Sequence, residues 1–270
     1  MGRGRSKAGG GAVAAAIPKD FGEAFAAGKD FQAVGGVNHV TRTVSRTTQG
    51  EWDRYSASMN ANVSAADEAA IMRDFDMRKG GLTGYVRTQN AFNINSALYD
   101  KNNAGKPISK IFKRKADRDT VNALDRAINN HSTPADGSYT RFSSPGGIQG
   151  AFGLSDQQMA MLSQARGMSP SQLAQLSKAM NGSKSHSAAY TSTSANRSLN
   201  AFSDPNAKQS KGFIFERKIS VPKGTKAYAP KKNAQESEVI FGRGMSTRIT
   251  GITVSTDGHI VIHEMFDGYN

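Results

Sequence analysis

Residues 230–244 read PKKNAQESEVIFGRG and place two carboxylates, Glu236 and Glu238, directly before the apolar run at 239–241. In an extended strand, side chains two residues apart project from the same face, so we expect both glutamates to point into one space. The proline, asparagine and lysines upstream predict a loop that leads into this strand. Functional groups favour such a position, because a rigid strand fixes them while a loop gives a substrate access. An exposed polar strand end would show the same pattern, so other parts of the chain must decide between the two interpretations.

Helical patterns fill most of the chain before this stretch. Two helices are predicted to begin at Ser155 and Ser169, because serine is a favoured N-cap residue. Residues 82–100 predict a further helix from the spacing of their apolar side chains. The buried face of that helix is predicted to carry Tyr85, Phe92, Ile94 and Leu98.

Strand patterns dominate the second half of the chain. Asp257-Gly258 predicts a tight hairpin turn between the last two of these strands. The predicted strands cover residues 139–143, 190–194, 212–221, 238–241, 247–255 and 259–266. Helices followed by strands indicate an α+β fold rather than a wound parallel sheet.

The composition changes near residue 65. Residues 1–65 are rich in Gly, Ala, Ser, Thr and Asn, and begin with the basic sequence MGRGRSK. We expect this part to be a flexible basic arm with an N-terminal extension that carries no recognisable chemistry. Residues 66–270 are predicted to form the catalytic domain.

Charge and composition exclude several classes of protein. The chain has 270 residues, with 35 Lys and Arg against 22 Asp and Glu, a formal charge of +13. Such a charge attracts nucleic acid or acidic proteins, although it can also serve solubility. The absence of cysteine excludes disulfides, a thiolate nucleophile and cysteine-bound metal. The histidines show no metal-ligand spacing, and no apolar run approaches the roughly 20 residues of a membrane span.

Three polar clusters occur on separate predicted strands. They are Arg141, then Ser192-Thr193-Ser194, then Glu236-Ser237-Glu238. In this order they resemble the Arg, Ser-Thr-Ser, Glu-x-Glu signature of mono-ADP-ribosyltransferases, including bacterial exoenzymes and phage-encoded members. The resemblance extends over roughly residues 69–265. It implies an ADP-ribosyltransferase-like fold, in which the helical first half packs on two small, mostly antiparallel β-sheets.

The resemblance also implies a catalytic role for three residues. Glu238 would stabilise the cationic ribose that forms when NAD loses nicotinamide, a reaction similar to glycoside hydrolysis. Ser192 would support Glu238 by hydrogen bonding. Glu236 would orient or deprotonate the acceptor, and a glutamate at this position is typical of transfer to arginine.

The remaining implied contacts bind NAD, which is the substrate, and no metal is needed. Arg141 would bind the NAD phosphates, because a guanidinium forms paired hydrogen bonds that a lysine cannot. Arg197 would reach a phosphate and Phe202 would pack on nicotinamide. The Ser-Thr-Ser strand completes the predicted NAD-binding set through Ser192, Thr193 and Ser194.

The sequence therefore predicts an enzyme that transfers ADP-ribose from NAD to an arginine of a protein and releases nicotinamide. A basic rim of lysines suits an acidic or nucleic-acid-associated acceptor; its members are Lys208, Lys211, Lys223, Lys226, Lys231 and Lys232. We expect the protein to act in the cytoplasm of a bacterial host cell, as a toxin or a phage-delivered factor in host takeover. One alternative is transfer to RNA or DNA. Another is an inactive basic protein that binds nucleic acid or belongs to a virion.

Overall fold

In the computed structural model, helices occupy most of the described residues up to residue 180, and strands occupy most of the described residues after it. The structure describes residues 49–59, 63–72, 75–76, 81–82, 84–86, 90–195, 212–231 and 237–270. The helices are α1 (Gln49–Met59), α2 (Ala65–Met72), α3 (Asn90–Tyr99), α4 (Ile108–Ile111), α5 (Lys115–Asn129), α6 (Pro145–Phe152), α7 (Asp156–Ser163) and α8 (Pro170–Met180). Within the described residues, no helix is both long and apolar enough to cross a membrane.

The strands form a small hairpin and one large mixed sheet. The hairpin pairs β1 (Phe75–Asp76) with β2 (Gly81–Leu82). The sheet strands are β3 (Gly137–Ser143), β4 (Lys184–Ser187), β5 (Thr191–Ser194), β6 (Phe215–Val221), β7 (Ala227–Tyr228), β8 (Glu238–Phe241), β9 (Met245–Val254) and β10 (Ile260–Tyr269). Their order among the described residues is β4-β9-β10-β6-β3-β5-β8-β7, with β10 and β6 parallel and the other pairs antiparallel.

The predicted α+β class is confirmed, but the arrangement of the strands differs in one respect from the predicted one. The two predicted sheets are two halves of one hydrogen-bonded sheet. β3 and β6 pair along seven residues, whereas β3 and β5 pair only at Thr140 and Ser194 among the described residues. The halves therefore meet at a narrow seam.

The predicted helix starts at two serines are confirmed. Ser155 and Ser169 each cap a helix, and in both cases a glutamine three residues later returns a hydrogen bond to the serine backbone. The predicted face of the helix near residue 90 is partly wrong. Ile94 and Leu98 are buried, but Phe92 is 67% exposed, and Tyr85 lies before the first turn of α3.

Strand β8 is buried on both faces because its alternate residues enter different cores. Val239 and Phe241 pack with Tyr55 and Met59 of α1, whereas Ile240 joins the core beneath α2, α3 and α5. A strand buried on both faces is expected to be apolar throughout, as residues 239–241 are. Part of the predicted N-terminal extension therefore packs on the domain core through α1, while the predicted boundary at residue 65 stays a prediction.

A buried ion pair lies in the other half of the sheet. Arg217 of β6 donates two hydrogen bonds to Glu264 of β10, both at 2.6 Å, and both side chains are buried. Thr247 donates a third hydrogen bond to the same carboxylate at 2.5 Å. The Arg217 guanidinium also lies over the ring of Phe152, 5.1 Å from its centre. Both charges of the pair are thus compensated within the protein.

We predict that Glu264→Gln lowers the free energy of unfolding by about 3–5 kcal/mol, because it leaves the Arg217 cation buried without a counter-charge. Urea unfolding of wild type and variant measures this difference. The control is Asp119→Asn, which breaks the exposed Lys115–Asp119 pair and should change stability by less than about 0.5 kcal/mol. Equal stability of the two variants would contradict the prediction.

Candidate active site

The pairing of β5 with β8 brings the Ser-Thr-Ser cluster to Glu238. Ser194 lies opposite Glu238, and Ser192 lies opposite Ile240. The Ser192 hydroxyl donates a hydrogen bond to the Glu238 carboxylate, with 2.5 Å between Oγ and Oε1. Glu238 is only 8% exposed. A buried carboxylate needs such a donor, and the donor also fixes the direction in which the carboxylate points.

Arg141 reaches the same cluster from β3. Its Nη1 donates a hydrogen bond to the Ser192 carbonyl oxygen at 2.9 Å. Among the described residues this guanidinium donates no further hydrogen bond, so its other N–H groups remain available to a ligand. Arg141, Ser192 and Glu238 are thereby connected in one chain of contacts, as their order in the sequence suggested. Their catalytic and NAD-binding roles stay predictions.

The other two residues of the Ser-Thr-Ser cluster are more deeply placed. Thr193 and Ser194 are buried, whereas Ser192 is half-buried. The Thr193 hydroxyl donates to the Val239 carbonyl oxygen at 2.8 Å and so braces β5 against β8. This contact directs the Thr193 hydroxyl to the protein backbone. Ser192 is the member of the cluster whose hydroxyl contacts the Glu238 carboxylate.

The backbone before Glu238 departs from the extended form on which the interpretation of Glu236 depended. Strand β8 begins at Glu238, and Ser237 has a φ of 45°, in the left-handed region. Strand alternation therefore does not extend from Glu238 back to Glu236. The Ser237 carbonyl oxygen accepts a hydrogen bond from the Ala195 amide at 2.9 Å, which holds this turn on the end of β5. Glu236, like Arg197 and Phe202, lies outside the described residues.

Tyr85, which the sequence did not single out as functional, interacts electrostatically with Glu238. Tyr85 is buried, and its hydroxyl accepts a hydrogen bond from Asn95 of α3 at 2.8 Å. Burial raises the pKa of Tyr85; the charge of Glu238 raises it further, while Arg141 acts in the opposite direction. Tyr85 thus lies within electrostatic range of both charged residues. The Asn95 side-chain oxygen is buried without a hydrogen-bond partner in the described part of the chain.

The sequence contained one signal for the contact between Tyr85 and Asn95. Asn95 follows the buried Ile94 in a helix that also buries Leu98, and Asn95 is half-buried. A polar residue beside an apolar stripe is more informative than the stripe itself. Tyr85 carried no such signal, because a tyrosine near an apolar run is explained equally well by packing.

This arrangement suits one kind of chemistry. A carboxylate fixed by a hydroxyl donor can stabilise a cationic sugar carbon, and a guanidinium nearby can hold a phosphate. Metal-assisted chemistry would need a different set of ligands. In the ranges that the structure describes, no three His, Asp or Glu side chains form a group that could hold a metal ion.

Solved structures show the same fold. C3stau2 from S. aureus, a structure with NAD, is 22% identical, with a TM-score of 0.58 over 84% of this chain and 99% of that chain. The Clostridium limosum C3 exoenzyme is 17% identical, with a TM-score of 0.50 over 82% and 92% of the two chains. The ADP-ribosylating toxin BECa of C. perfringens, solved with NADH, is 14% identical, with a TM-score of 0.53 over 81% and 48%. A search of curated proteins finds no match.

The family model for the ADP-ribosyltransferase exoenzyme matches residues 65–266, which is most of the chain. This match includes Arg141, the Ser-Thr-Ser cluster and both glutamates. The family match agrees with the fold shared with the toxins above, and that fold comparison does not depend on the sequence motifs. The chain therefore belongs to the ADP-ribosyltransferase exoenzyme family, whose substrate is NAD.

Proposed function

We propose that this protein transfers ADP-ribose from NAD to an arginine side chain of an acceptor protein and releases nicotinamide. The observation that carries the proposal is the hydrogen bond from Ser192 to the buried Glu238 carboxylate, with Arg141 bound to the Ser192 carbonyl. It supplies a fixed negative charge for the sugar and a fixed positive charge for the phosphates. The two lie on β3 and β8, the strands on either side of β5, so one bound NAD molecule could contact both.

The reaction breaks one bond and forms one bond. The bond between the nicotinamide nitrogen and the ribose carbon breaks, and nicotinamide leaves with the electron pair. The ribose becomes a cation that the Glu238 carboxylate stabilises. A guanidino nitrogen of the acceptor then bonds to the same carbon and releases one proton. In this proposal Glu236 accepts that proton, and no oxidant or metal takes part.

Arginine is proposed as the acceptor because a second carboxylate, Glu236, precedes Glu238 by two residues. A glutamate can orient a guanidinium through paired hydrogen bonds and can accept its proton, whereas a glutamine can do neither as well. In this proposal Glu238 serves the sugar and Glu236 serves the acceptor.

A nucleic acid acceptor is the second candidate, and the surface charge favours it. Four lysines of the segment that joins α3 to α5 have no ion-pair partner among the described residues. They are Lys101, Lys106, Lys110 and Lys113. They are exposed and follow the exposed aromatic residues Phe92 and Tyr99 of α3. Basic and aromatic side chains together are typical of single-strand binding surfaces. The nature of the labelled product distinguishes this candidate from a protein acceptor.

We predict that Glu238→Gln lowers the rate of nicotinamide release by about 100- to 1000-fold, because the ribose cation loses its counter-charge. Binding of NAD should change little, since Arg141 is untouched. Nicotinamide release and equilibrium NAD binding are measured on purified wild type and variant, with Asp119→Asn as a surface control. Undiminished nicotinamide release from Glu238→Gln would exclude the proposed role of this carboxylate.

We further predict that Glu236→Gln abolishes transfer to arginine while nicotinamide release continues, because water can replace the acceptor. Wild type and variant are each incubated with labelled NAD and a bacterial lysate, and the products are treated separately with protease and ribonuclease. Wild-type label that protease removes supports a protein acceptor. Label that only ribonuclease removes would replace the arginine proposal with transfer to RNA.

A further inference from the structure

One face of helix α3 presents aromatic side chains to solvent. Phe92 is 67% exposed and Tyr99 is 49% exposed. Positions 92, 96 and 99 lie on one helical face, and Ser96 between the two rings is also exposed. Ile94 and Leu98, on the other side of the helix, are buried. The described part of the chain therefore leaves two large apolar side chains of α3 uncovered.

The segment that follows α3 adds positive charge beside these rings. Residues 100–113 contain one acidic residue, Asp100, and four lysines. All four lysines are exposed, and none has an ion-pair partner within the described ranges; they are Lys101, Lys106, Lys110 and Lys113. Their charge thus remains available to a binding partner.

Contacts to the domain core hold this segment against α3. The Asn103 side chain donates a hydrogen bond to a backbone carbonyl oxygen of α3 at 3.0 Å. Phe112 belongs to the same core as the buried residues of α3, and Ile108 and Ile111 pack against that core. Since both ends of α4 face inward, Lys110 faces solvent. The four lysines and the two exposed aromatic residues of α3 thus form one region, which we call the α3–α4 surface.

The α3–α4 surface lies beside the candidate active site. The hydroxyls of Tyr99 and Ser187 are hydrogen-bonded at 2.8 Å. Ser187 precedes Ser192 by five residues, and five residues of extended chain span at most about 18 Å. A typical protein interface covers about 800 Å² on each partner, equivalent to a disc about 32 Å across. One protein partner can therefore cover the α3–α4 surface and also reach the Ser192–Glu238 contact.

We propose that the α3–α4 surface is the docking surface for the acceptor protein, and that it binds an acidic patch beside the arginine to be modified. This docking role rests on the proposed transfer to a protein arginine and adds the surface that selects the acceptor. Aromatic side chains are enriched at the centre of protein interfaces, and the rim is polar. Here the aromatic residues are flanked by unpaired lysines, so the matching partner carries aspartate and glutamate around an apolar centre.

A protein fits this surface better than a single-stranded nucleic acid does. Phe92 and Tyr99 are seven residues apart on α3, which separates them by about 10 Å along the helix axis. Stacked bases of one strand are about 3.4 Å apart, so the two rings cannot hold neighbouring stacked bases. Two anchors at positions i and i+7 of one helix are instead typical of a helix that packs into a groove of a partner protein.

The test compares protein acceptors with agmatine, a guanidino amine too small to contact the α3–α4 surface from the site. Protein acceptors are supplied as a nuclease-treated bacterial lysate with labelled NAD. For Phe92→Ser and for the double variant Lys106→Glu/Lys110→Glu, we expect the initial rate of protein labelling to fall about tenfold or more. Agmatine modification and NAD hydrolysis should stay within about twofold of wild type, which also shows that the variants are folded. The matched control is Lys178→Glu, which reverses the charge of an exposed lysine on α8 and should leave protein labelling unchanged.

Salt dependence gives a second readout. Raising the salt concentration from about 0.05 M to about 0.5 M screens the attraction between exposed charges. Protein labelling by wild type and by the Lys178→Glu control should therefore slow down more than labelling by the double variant. An equal salt response of all three proteins would contradict the role of the lysines.

The possible failures are distinguishable. If wild type modifies agmatine and both surface variants label protein at the wild-type rate, the docking surface is wrong while arginine transfer stands. Modification of agmatine without any labelled protein also overturns the docking role, because a docked protein should be the better acceptor. If wild type hydrolyses NAD but modifies neither agmatine nor protein, the proposed function fails and the docking role fails with it.

Binding of nucleic acid is measured separately, with a fluorescent single-stranded oligonucleotide. We expect the surface variants to bind it as wild type does. If they lose this binding, and if nuclease treatment of the lysate removes the wild-type label, the α3–α4 surface binds nucleic acid and the protein-docking role is overturned.

Discussion

A carboxylate at the first position of a strand buried on both faces is the constraint on which this site depends. Glu238 cannot be withdrawn from water without a donor, and the residues that follow it are fixed by two separate cores. The Ser192 hydroxyl supplies that donor. Because Ser192 is opposite Ile240 rather than Glu238, the contact is diagonal, and a shift of one residue in the β5–β8 register would remove it. The packing of β8 thus sets the direction of the Glu238 carboxylate.

The same contact lies at the seam between the two halves of the sheet. Thr140 and Ser194 join the halves, Arg141 follows one of them, and Glu238 is opposite the other. The Arg141–Ser192 hydrogen bond crosses this seam, since Arg141 belongs to β3 and Ser192 to β5. Each half also has its own stabilising contacts. Apolar packing holds β8 in one half, and the buried Arg217–Glu264 pair joins β6 to β10 in the other. The hydrogen bond across the seam thus links the Arg141 guanidinium to the strand that pairs with Glu238.

Periodic and local features were the ones that the sequence could predict. Helix caps at Ser155 and Ser169, the final hairpin and the apolar strand after Glu238 follow from contacts between residues close in the chain. Features that depend on distant partners were not predictable. The left-handed backbone of Ser237 is held by the amide of Ala195. No local rule requires this conformation of a serine, so the sequence predicted an extended backbone at Ser237 instead.

Arg141, Ser192 and Glu238 were singled out for a different reason, since each carries a functional group that no packing pattern explains. The structure connects them by hydrogen bonds, while their catalytic and NAD-binding roles stay predictions. Tyr85 was not singled out as functional, because a tyrosine near an apolar run is an ordinary structural choice.

Tyr85 adds hydrogen-bonding capacity beside the site without adding charge. Burial raises the pKa of Tyr85, and the negative charge of Glu238 raises it further. The phenol therefore stays protonated at neutral pH. A second anion beside Glu238 would raise the pKa of that carboxylate and weaken it as a counter-charge. A neutral hydroxyl avoids this effect, and so does the Ser192 hydroxyl that donates to Glu238. The polar side chains described around Glu238 thus add no second negative charge where the proposed cationic ribose would form.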